Sequence, residues 1–217
     1  MFHVKQATLL FDFISKYAPT VEGFDRFQKL EKHYQELQQW GTVFNLIGAK
    51  EQTDIFEALY LDSLISAQFL FLSVGGEIKT IHDVGSGAGF PGLMFPLFFD
   101  NHTYTTLHEH RRKKSSFLKT ASREMGLTNV TVSMDRVVAG AFLSDVVTSR
   151  ATFSFQEWLK LGKTLVRGGG FVAAYLACSD KKEKATVPEG LVEHARLRYT
   201  LPVSKRSRET VIYRRMV

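Results

Sequence analysis

The stretch IHDVGSGAGFPG, residues 81–92, decides the fold of this chain. A short β-branched run, residues 80–84, leads into glycines at 85, 87 and 89, and Pro91 follows them. Glycine tolerates a positive φ and lets a ligand approach the backbone closely, and proline is favoured at the start of a helix. We therefore predict a strand, a tight turn and a helix that opens at Pro91. Such a turn occurs both in connections without a ligand and in nucleotide sites.

The strand pattern continues along the second part of the chain. Further short β-branched runs follow at residues 103–108, 129–133, 145–149 and 171–176, separated by helical stretches, and EHARLRYTLP and ETVIYRRMV are predicted to be two closing strands. Strands that alternate with helices of about 10 to 15 residues indicate βαβ units. The predicted fold class is α/β, with a mostly parallel, seven-stranded sheet.

The first part of the chain has helical periodicity. Apolar residues recur at helical spacing over 9–17 and 24–37, with charged residues on the other face, and a third helix is predicted over 54–72. We expect an N-terminal helical segment, residues 1–76, packed on a core of residues 77–217.

Charge and cysteine content limit the possible functions. The 217 residues carry a formal net charge of +6, which favours an anionic partner such as nucleic acid, although a solvated basic surface gives the same sum. Cys178 is the only cysteine, which excludes a disulfide framework, a Cys-based zinc site and a CxxC redox pair. No run approaches the ~18 apolar residues of a membrane helix, and the N-terminus does not resemble a signal peptide. We expect a cytoplasmic protein without a membrane partner or a bound metal.

The end of the second predicted strand bears on the ligand. Glu109 lies there, at the distance from the glycine turn where a carboxylate can accept both hydroxyls of an adenosine ribose. GxxxxGK[ST] is missing and the turn lacks GxGxxG spacing, which disfavours a triphosphate or a dinucleotide. Asp83 before the turn favours a cationic ligand, and S-adenosylmethionine carries an ammonium and a sulfonium. A tight turn without a ligand remains the alternative.

Five motifs together resemble one known family. DVGSGAGFPGL, LHEHRRKKSSFL, GLTNVTV, DVVTSRA and RGGGFVAA occur in the order and spacing of the RsmG (GidB) family, S-adenosylmethionine-dependent methyltransferases of small-subunit ribosomal RNA. The resemblance covers roughly residues 36–215. It implies a Rossmann-like class I methyltransferase core with an N-terminal helical extension, and N7 of a guanine in 16S ribosomal RNA as the methyl acceptor.

The resemblance also implies roles for individual residues. Gly85 and Phe90 match positions that contact the cofactor, Glu109 matches the ribose acid, and Val137 with Val138 match the pair beside the adenine. Arg150 matches a functional arginine after the fourth strand and is the predicted catalytic residue. The full predicted cofactor site is Asp83, Gly85, Ser86, Gly87, Gly89, Phe90, Glu109, Val137, Val138 and Arg150.

The chain departs from the family pattern at three positions. Leu59 stands where a histidine usually precedes DSL, and Val138 replaces a usual acidic residue. AYLA, residues 174–177, replaces the usual LKG, so that Tyr175 occupies the position of a lysine on the substrate side. Cofactor binding is therefore better supported than the identity of the target nucleotide.

The acceptor atom can also be narrowed from the residues themselves. Amino-group methylation commonly uses an Asn/Asp-Pro-Pro-aromatic turn, whereas the corresponding position here has TSRA. Carbon methylation of cytosine needs an activated cysteine, and we expect Cys178 to be a small core residue. Guanine N7 has a free lone pair and no proton to remove, which fits a site without an evident base. Arg150 would position the base edge or a phosphate; the alternative is a structural ion pair with Asp145 or Glu109.

Basic residues form two groups in the sequence. One begins the helix after the second strand and includes Lys113 and Lys114, and the other lies in the closing strands and includes Arg206 and Arg208. We predict that these four contact the RNA backbone, with a solvated face as the alternative for the first group. His108 and His110 alternate along a strand end and are not expected to share a metal.

These observations favour a monomeric methyltransferase whose partner is small-subunit ribosomal RNA or the small ribosomal subunit. Two alternatives stay open. One is a methyltransferase of a protein or a small molecule, and the other is a ribosome assembly factor that binds the cofactor without turnover.

Overall fold

The computed structural model describes residues 2–17, 23–43, 51–75, 77–99, 102–178 and 186–217. Its strands in chain order are β1 (Thr80–Val84), β2 (Tyr104–His108), β3 (Val130–Ser133), β4 (Ser144–Ser149), β5 (Val166–Ala177), β6 (Leu191–Thr200) and β7 (Ser207–Arg215). They form one seven-stranded sheet in the order β3-β2-β1-β4-β5-β7-β6. β1 to β5 are parallel to one another, whereas β7 runs antiparallel to β5 and β6. The predicted sheet is confirmed.

The central strands carry the longest buried runs because they are covered on both faces. Every residue of β4 is buried, whereas β6 at the edge has mostly exposed or partly buried residues. β5 begins earlier than predicted: its pairing with β4 passes from Ser144↔Val166 to Val146↔Phe171 through a bulge. The bulge contains Gly169 at φ +79°, where a side chain would be strained.

Two helices of the second part connect parallel strands. They are α4 (Arg112–Glu124) between β2 and β3, and α5 (Phe155–Leu165) between β4 and β5. Ser154 caps α5 in a capping box with Glu157 and so fixes where this helix begins after the end of β4.

Three helical stretches precede the sheet: α1 (Phe2–Tyr17), α2 (Phe24–Val43) and α3 (Gln52–Val74). α3 contains a π-helical turn at Phe56–Leu61. α2 packs on α4, where the rings of Trp40 and Phe117 lie 5.9 Å apart. Buried residues of all three helices join those of β1 and β2 in one hydrophobic core. The division of the chain into a helical segment, residues 1–76, and a core, residues 77–217, stays a prediction.

α3 corrects one expectation from the sequence. This 23-residue helix is long and apolar enough, by length and composition alone, to cross a membrane. Core helices share that composition, and more than half of the apolar window is buried in the protein. Leu61, Leu64 and Leu70 are fully buried in the hydrophobic core, which accounts for the apolar run.

We predict opposite effects of alanine at two helical glycines. A Cβ at Gly162 in α5 would lie 2.7 Å from Cγ1 of Val172 in β5, so Gly162→Ala should lower the free energy of unfolding by about 1–3 kcal/mol. Gly41 in α2 has no atom within 4 Å of its Cβ position, and Gly41→Ala should raise this free energy by about 0.5–1 kcal/mol. Urea unfolding of both variants measures the two changes. Equal changes in the free energy of unfolding for the two variants would show that α5 can move away from the sheet without a loss of stability.

Candidate active site

The glycine turn is held against the end of β2. The amides of Gly85 and Ser86 both donate to the carbonyl of His108, at 2.9 and 3.1 Å. The glycines at 85, 87 and 89 have φ values of +80°, +58° and +86°, which side-chain-bearing residues rarely adopt. A Cβ at Gly85 would also lie 2.2 Å from Oγ1 of Thr152. Protein packing, in addition to any ligand, therefore requires glycine at position 85.

The helix predicted to open at Pro91 is present, with Pro91 at its N-cap, as a six-residue 3₁₀-helix, Gly92–Leu97, and not as an α-helix. Pro96 explains the difference. In an α-helix its missing N–H would leave the carbonyl of Gly92 without a partner, and its ring would clash with that carbonyl. A short 3₁₀-helix adds little dipole, so the start of this helix has little attraction for an anion.

Asp83 is the buried carboxylate beside this turn. It is 1% exposed, and neither carboxylate oxygen makes a hydrogen bond of full geometry among the described residues, although Ser86, the amide of Gly92 and the charge of Arg150 favour its ionised form. Burial raises the pKa of Asp83 to about 7. Because an uncompensated buried carboxylate is costly, a ligand with a positive group would be stabilised here.

Glu109 faces the turn from the end of β2, as predicted. Its carboxylate accepts from the amide of Gly87 at 3.2 Å and from the amide of Arg111 at 2.9 Å. The residue is only 6% exposed. Each carboxylate oxygen can accept more than one hydrogen bond, so Glu109 can hold the turn and still accept from ligand hydroxyls.

Three apolar residues of the predicted cofactor site differ in burial. Phe90 is buried, and its ring contacts the rings of His33 and Tyr60, at 5.0 and 4.9 Å. Val137 packs against a second cluster of buried apolar residues, which includes Trp158 and Leu159 of α5. Val138, in contrast, is 61% exposed. Phe90 can therefore shape the wall of the site, and Val138 has a free surface for a flat ligand group.

Arg150 follows β4 and forms an ion pair with Asp62 of α3. Its Nη1 lies 3.3 Å from Oδ2 of Asp62 and donates to Oγ of Ser63 at 3.1 Å. The guanidinium also lies 5.9 Å from the ring centre of Phe90. The expected alternative partners were wrong: Asp145 pairs with Arg167, and Glu109 binds the two amides described above. The partner therefore comes from the N-terminal helices, because Asp62 and Ser63 of α3 lie beside the residue that follows β4.

Asp62 also receives groups from the closing strands. Nε of Arg208 in β7 lies 3.6 Å from the same carboxylate, and the hydroxyl of Tyr199 in β6 donates to it. Arg208 is partly buried and close to the Arg150 pair, so it is less available to an RNA backbone than the sequence suggested. Its predicted RNA contact stays a prediction.

The other basic residues divide by their partners. Arg196 and Arg198, which the sequence groups with Arg206, pair instead with Glu193 and Glu209. Arg206 is 55% exposed and has only a 3.8 Å approach to Asp54. Lys113 is exposed, whereas Lys114 is partly buried, with its Nζ 3.9 Å from the Cβ position of Gly87. Lys114 thus lies beside the glycine turn.

Tyr175 and Cys178 are two further residues whose side chains could take part in a reaction. The hydroxyl of Tyr175 is hydrogen-bonded to Oγ1 of Thr148 at 2.9 Å, and burial raises its pKa far above the usual value, so it stays a neutral phenol. Cys178 is exposed, so the expectation of a core cysteine was wrong. It lies one residue beyond β5, and its amide donates to the carbonyl of Ser207 in β7 at 3.1 Å.

His108 pairs with another histidine. Its Nε2 lies 2.9 Å from Nδ1 of His82, and the two rings stack with Phe142. Within the described ranges, no group of three or more His, Cys, Asp or Glu side chains could hold a metal ion.

Sequence reasoning missed the contribution of the N-terminal helices to this site. His33, Glu57, Tyr60 and Asp62 are buried polar residues on helices with apolar faces. A polar residue at a position that the helical period assigns to the core is the signal that could have identified them. A cavity of about 880 Å³ lies elsewhere, at the amino ends of β1 and β2, and it includes none of the predicted site residues.

The chain is similar in sequence to a family of methyltransferases. The model of the family described as "GidB: rRNA small subunit methyltransferase G" matches residues 26–212. A protein of Laribacter hongkongensis named Ribosomal RNA small subunit methyltransferase G is 37% identical over 160 residues, covering 72% of this chain and 74% of that protein. A protein of the same name from Halorhodospira halophila is 32% identical over 179 residues, covering 81% of this chain and 78% of that protein.

Solved structures agree on the fold. The O-methyltransferase from Bacillus cereus in complex with SAH superposes with a TM-score of 0.63 at 9% identity, covering 94% of this chain and 96% of that one. A putative methyltransferase, yhhF, from Escherichia coli gives 0.58 at 13% identity, covering 79% and 90%. The sheet is that of Rossmann-like methyltransferases, as predicted.

We predict that Asp83 makes the binding of an adenosine ligand with an ammonium group depend on pH. In the free protein its pKa is about 7, and a bound ammonium would lower it, so binding near pH 6 should release about one proton. Affinity should therefore rise with pH through 7. Calorimetry with S-adenosylhomocysteine, in buffers of different ionisation enthalpy, measures the release. Asp83→Asn is the control that retains only the ligand's own titration, and equal release by both proteins would contradict the role of Asp83.

Proposed function

The chain belongs to the rRNA small subunit methyltransferase G (GidB) family, and on this premise we propose that it transfers a methyl group from S-adenosylmethionine to N7 of a guanine in small-subunit (16S) ribosomal RNA. The family match over residues 26–212 carries the proposal, because it spans every residue of the predicted site. We further propose that the enzyme acts in the cytoplasm as a monomer, on the small subunit or its RNA.

The described residues fit the cofactor of this family. Asp83 would hold the ammonium group, Glu109 the ribose hydroxyls, and the backbone of the glycine turn would lie along the ligand. Phe90, Val137 and Val138 would line the adenine side. When bound, S-adenosylmethionine supplies a methyl group activated by a sulfonium.

The residues around the acceptor need only align it. Guanine N7 attacks with its own lone pair, so no side chain has to remove a proton from the attacking atom. Arg150 carries a positive charge that would hold the base edge or a neighbouring phosphate. Asp62 and Ser63 fix this guanidinium in one orientation, which keeps it ready for that contact.

RNA would approach over the loop between β6 and β7. The buried carboxylate of Glu57, in the π-helical turn of α3, accepts from the amides of Val203 and Ser204 and so holds this loop. The loop presents Lys205 and Arg206 to solvent. Together with exposed Lys113 they offer charges to an RNA backbone, the main source of affinity for structured RNA. Lys114 and Arg208 would add contacts nearer the reacting groups.

Tyr175 favours one alternative function. A neutral phenol bonded to Thr148 stands where the family pattern has a lysine, so one positive charge is missing beside Asp83 and Arg150. A protein that binds cofactor and ribosomal RNA during assembly, without methyl transfer, would tolerate this loss.

A labelling experiment tests the proposal and separates the alternatives. The protein is incubated with methyl-labelled S-adenosylmethionine and either 16S RNA or small subunits from a strain that lacks the endogenous modification. We expect label in one guanine, at N7, detected by aniline cleavage. Cofactor binding without label would indicate the assembly factor, and label incorporated without RNA would indicate a protein or small-molecule substrate.

We predict different kinetic defects for two arginines. Arg150→Ala should lower the rate at saturating RNA by on the order of a hundredfold, because alignment at the acceptor is lost. Arg206→Ala should weaken RNA binding and reduce the salt slope by about one unit, with the saturated rate unchanged. Single-turnover methylation at several salt concentrations measures both.

Arg123→Ala is the matched control for the loss of one positive charge. Arg123 is 74% exposed in its side chain, and its partner is the neighbouring Glu124. Arg123→Ala should change neither the rate at saturating RNA nor the salt slope of RNA binding. If Arg150→Ala only raised the RNA concentration required while Arg206→Ala lowered the saturated rate, the two roles would be reversed.

A further inference from the structure

His33 connects the N-terminal helices to the glycine turn. It lies in α2, is fully buried, and its Nε2 is 3.1 Å from the carbonyl oxygen of Ala88, between two glycines of the turn. Its Nδ1 is 2.7 Å from the hydroxyl of Tyr60 in the π-helical turn of α3. Three separate segments of the chain therefore meet at one imidazole.

The partners of His33 determine its protonation. A carbonyl oxygen can only accept, so Nε2 must carry the proton and donate to Ala88. Nδ1 is then unprotonated and accepts from the hydroxyl of Tyr60. Burial lowers the pKa of His33 to about 4, which keeps the ring neutral. A neutral imidazole satisfies both neighbours without bringing a charge into the core.

We infer that His33 is a positioning residue for the cofactor, acting through the glycine turn; this inference rests on the proposed function. The turn is held from β2 by the carbonyl of His108 and by Glu109. His33 of α2 holds it through the carbonyl of Ala88. This carbonyl shares a peptide with the amide of Gly89, so the hydrogen bond restrains the turn between Gly87 and Gly89, where glycine leaves the backbone the most conformational freedom.

The same imidazole supports the wall of the site. Its ring contacts Phe90 edge-on at 5.0 Å and Phe117 of α4 at 5.7 Å. The guanidinium of Arg150 lies over the ring of Phe90. His33 thus fixes both the backbone of the turn and the position of Phe90. Restraining these groups before binding lowers the ordering cost that a ligand would otherwise meet.

Replacing His33 tests whether this restraint acts on the cofactor. His33→Phe retains an aromatic ring but loses both hydrogen bonds, and we expect the Kd for S-adenosylhomocysteine to rise about tenfold. The rate at saturating cofactor and RNA should stay unchanged, so the defect should appear in KM for the cofactor. In the free protein, amide hydrogen exchange at residues 87–89 should become faster, while exchange in the middle of α5 should not.

Two further variants keep the test decisive if His33→Phe folds poorly. Tyr60→Phe removes only the hydroxyl that donates to Nδ1 and should give the same changes, about threefold in Kd. His33→Gln can donate to Ala88 and accept from Tyr60, and should restore most of the affinity. Tyr34→Phe is the matched control: its hydroxyl, also in α2, contacts Gln38 and Gln52 and should leave the Kd unchanged.

The outcomes separate this inference from the proposed function. Lower thermal stability of the His33 and Tyr60 variants, with unchanged Kd and unchanged exchange at residues 87–89, would show a purely structural role and overturn the inference. Failure of the unsubstituted protein to bind S-adenosylhomocysteine would instead refute the proposed function. Binding by the unsubstituted protein, with the graded loss described above, supports both.

Discussion

The ion pair between Asp62 and Arg150 joins the N-terminal helices to the carboxyl edge of the sheet. Both groups are largely withdrawn from water, and each would be costly to bury alone. Arg208 and Tyr199 bring β7 and β6 to the same carboxylate. The positions of α3, the end of β4 and the closing strands therefore depend on one another.

Two buried aspartates of this region have contrasting environments. The carboxylate of Asp62 has two arginines and a tyrosine hydroxyl as partners, whereas that of Asp83 has no ion pair and no hydrogen bond of full geometry among the described residues. Satisfied buried charges organise structure, and an unsatisfied one is the feature expected where a ligand supplies the missing group. This contrast agrees with the proposal that Asp62 has a structural role and that Asp83 binds the cofactor.

The net positive charge is distributed less simply than its sum suggests. Arg196 and Arg198 neutralise carboxylates within the closing strands, and Arg215 donates to backbone carbonyls of residues 163 and 166. Among the described residues, exposed basic side chains lie in the β6–β7 loop and at the start of α4. A short, firmly held loop beside the site suits recognition of a single nucleotide within folded RNA.

The sequence by itself determined the sheet, the glycine turn and the placement of Asp83 and Glu109, because strand periodicity and turn glycines are local signals and parallel strands end at one edge. It also pointed to the family, through motifs that lie close together along the chain. Only the tertiary structure decided the partners of Arg150, Arg208 and His33. Those partners come from helices and strands far away in sequence, and such contacts depend on how elements pack, which no local pattern encodes. Pro96 shows that a single residue can also change the type of a predicted helix. Because proline has no N–H to donate to the carbonyl of Gly92, the helix after the glycine turn is a 3₁₀-helix and not an α-helix.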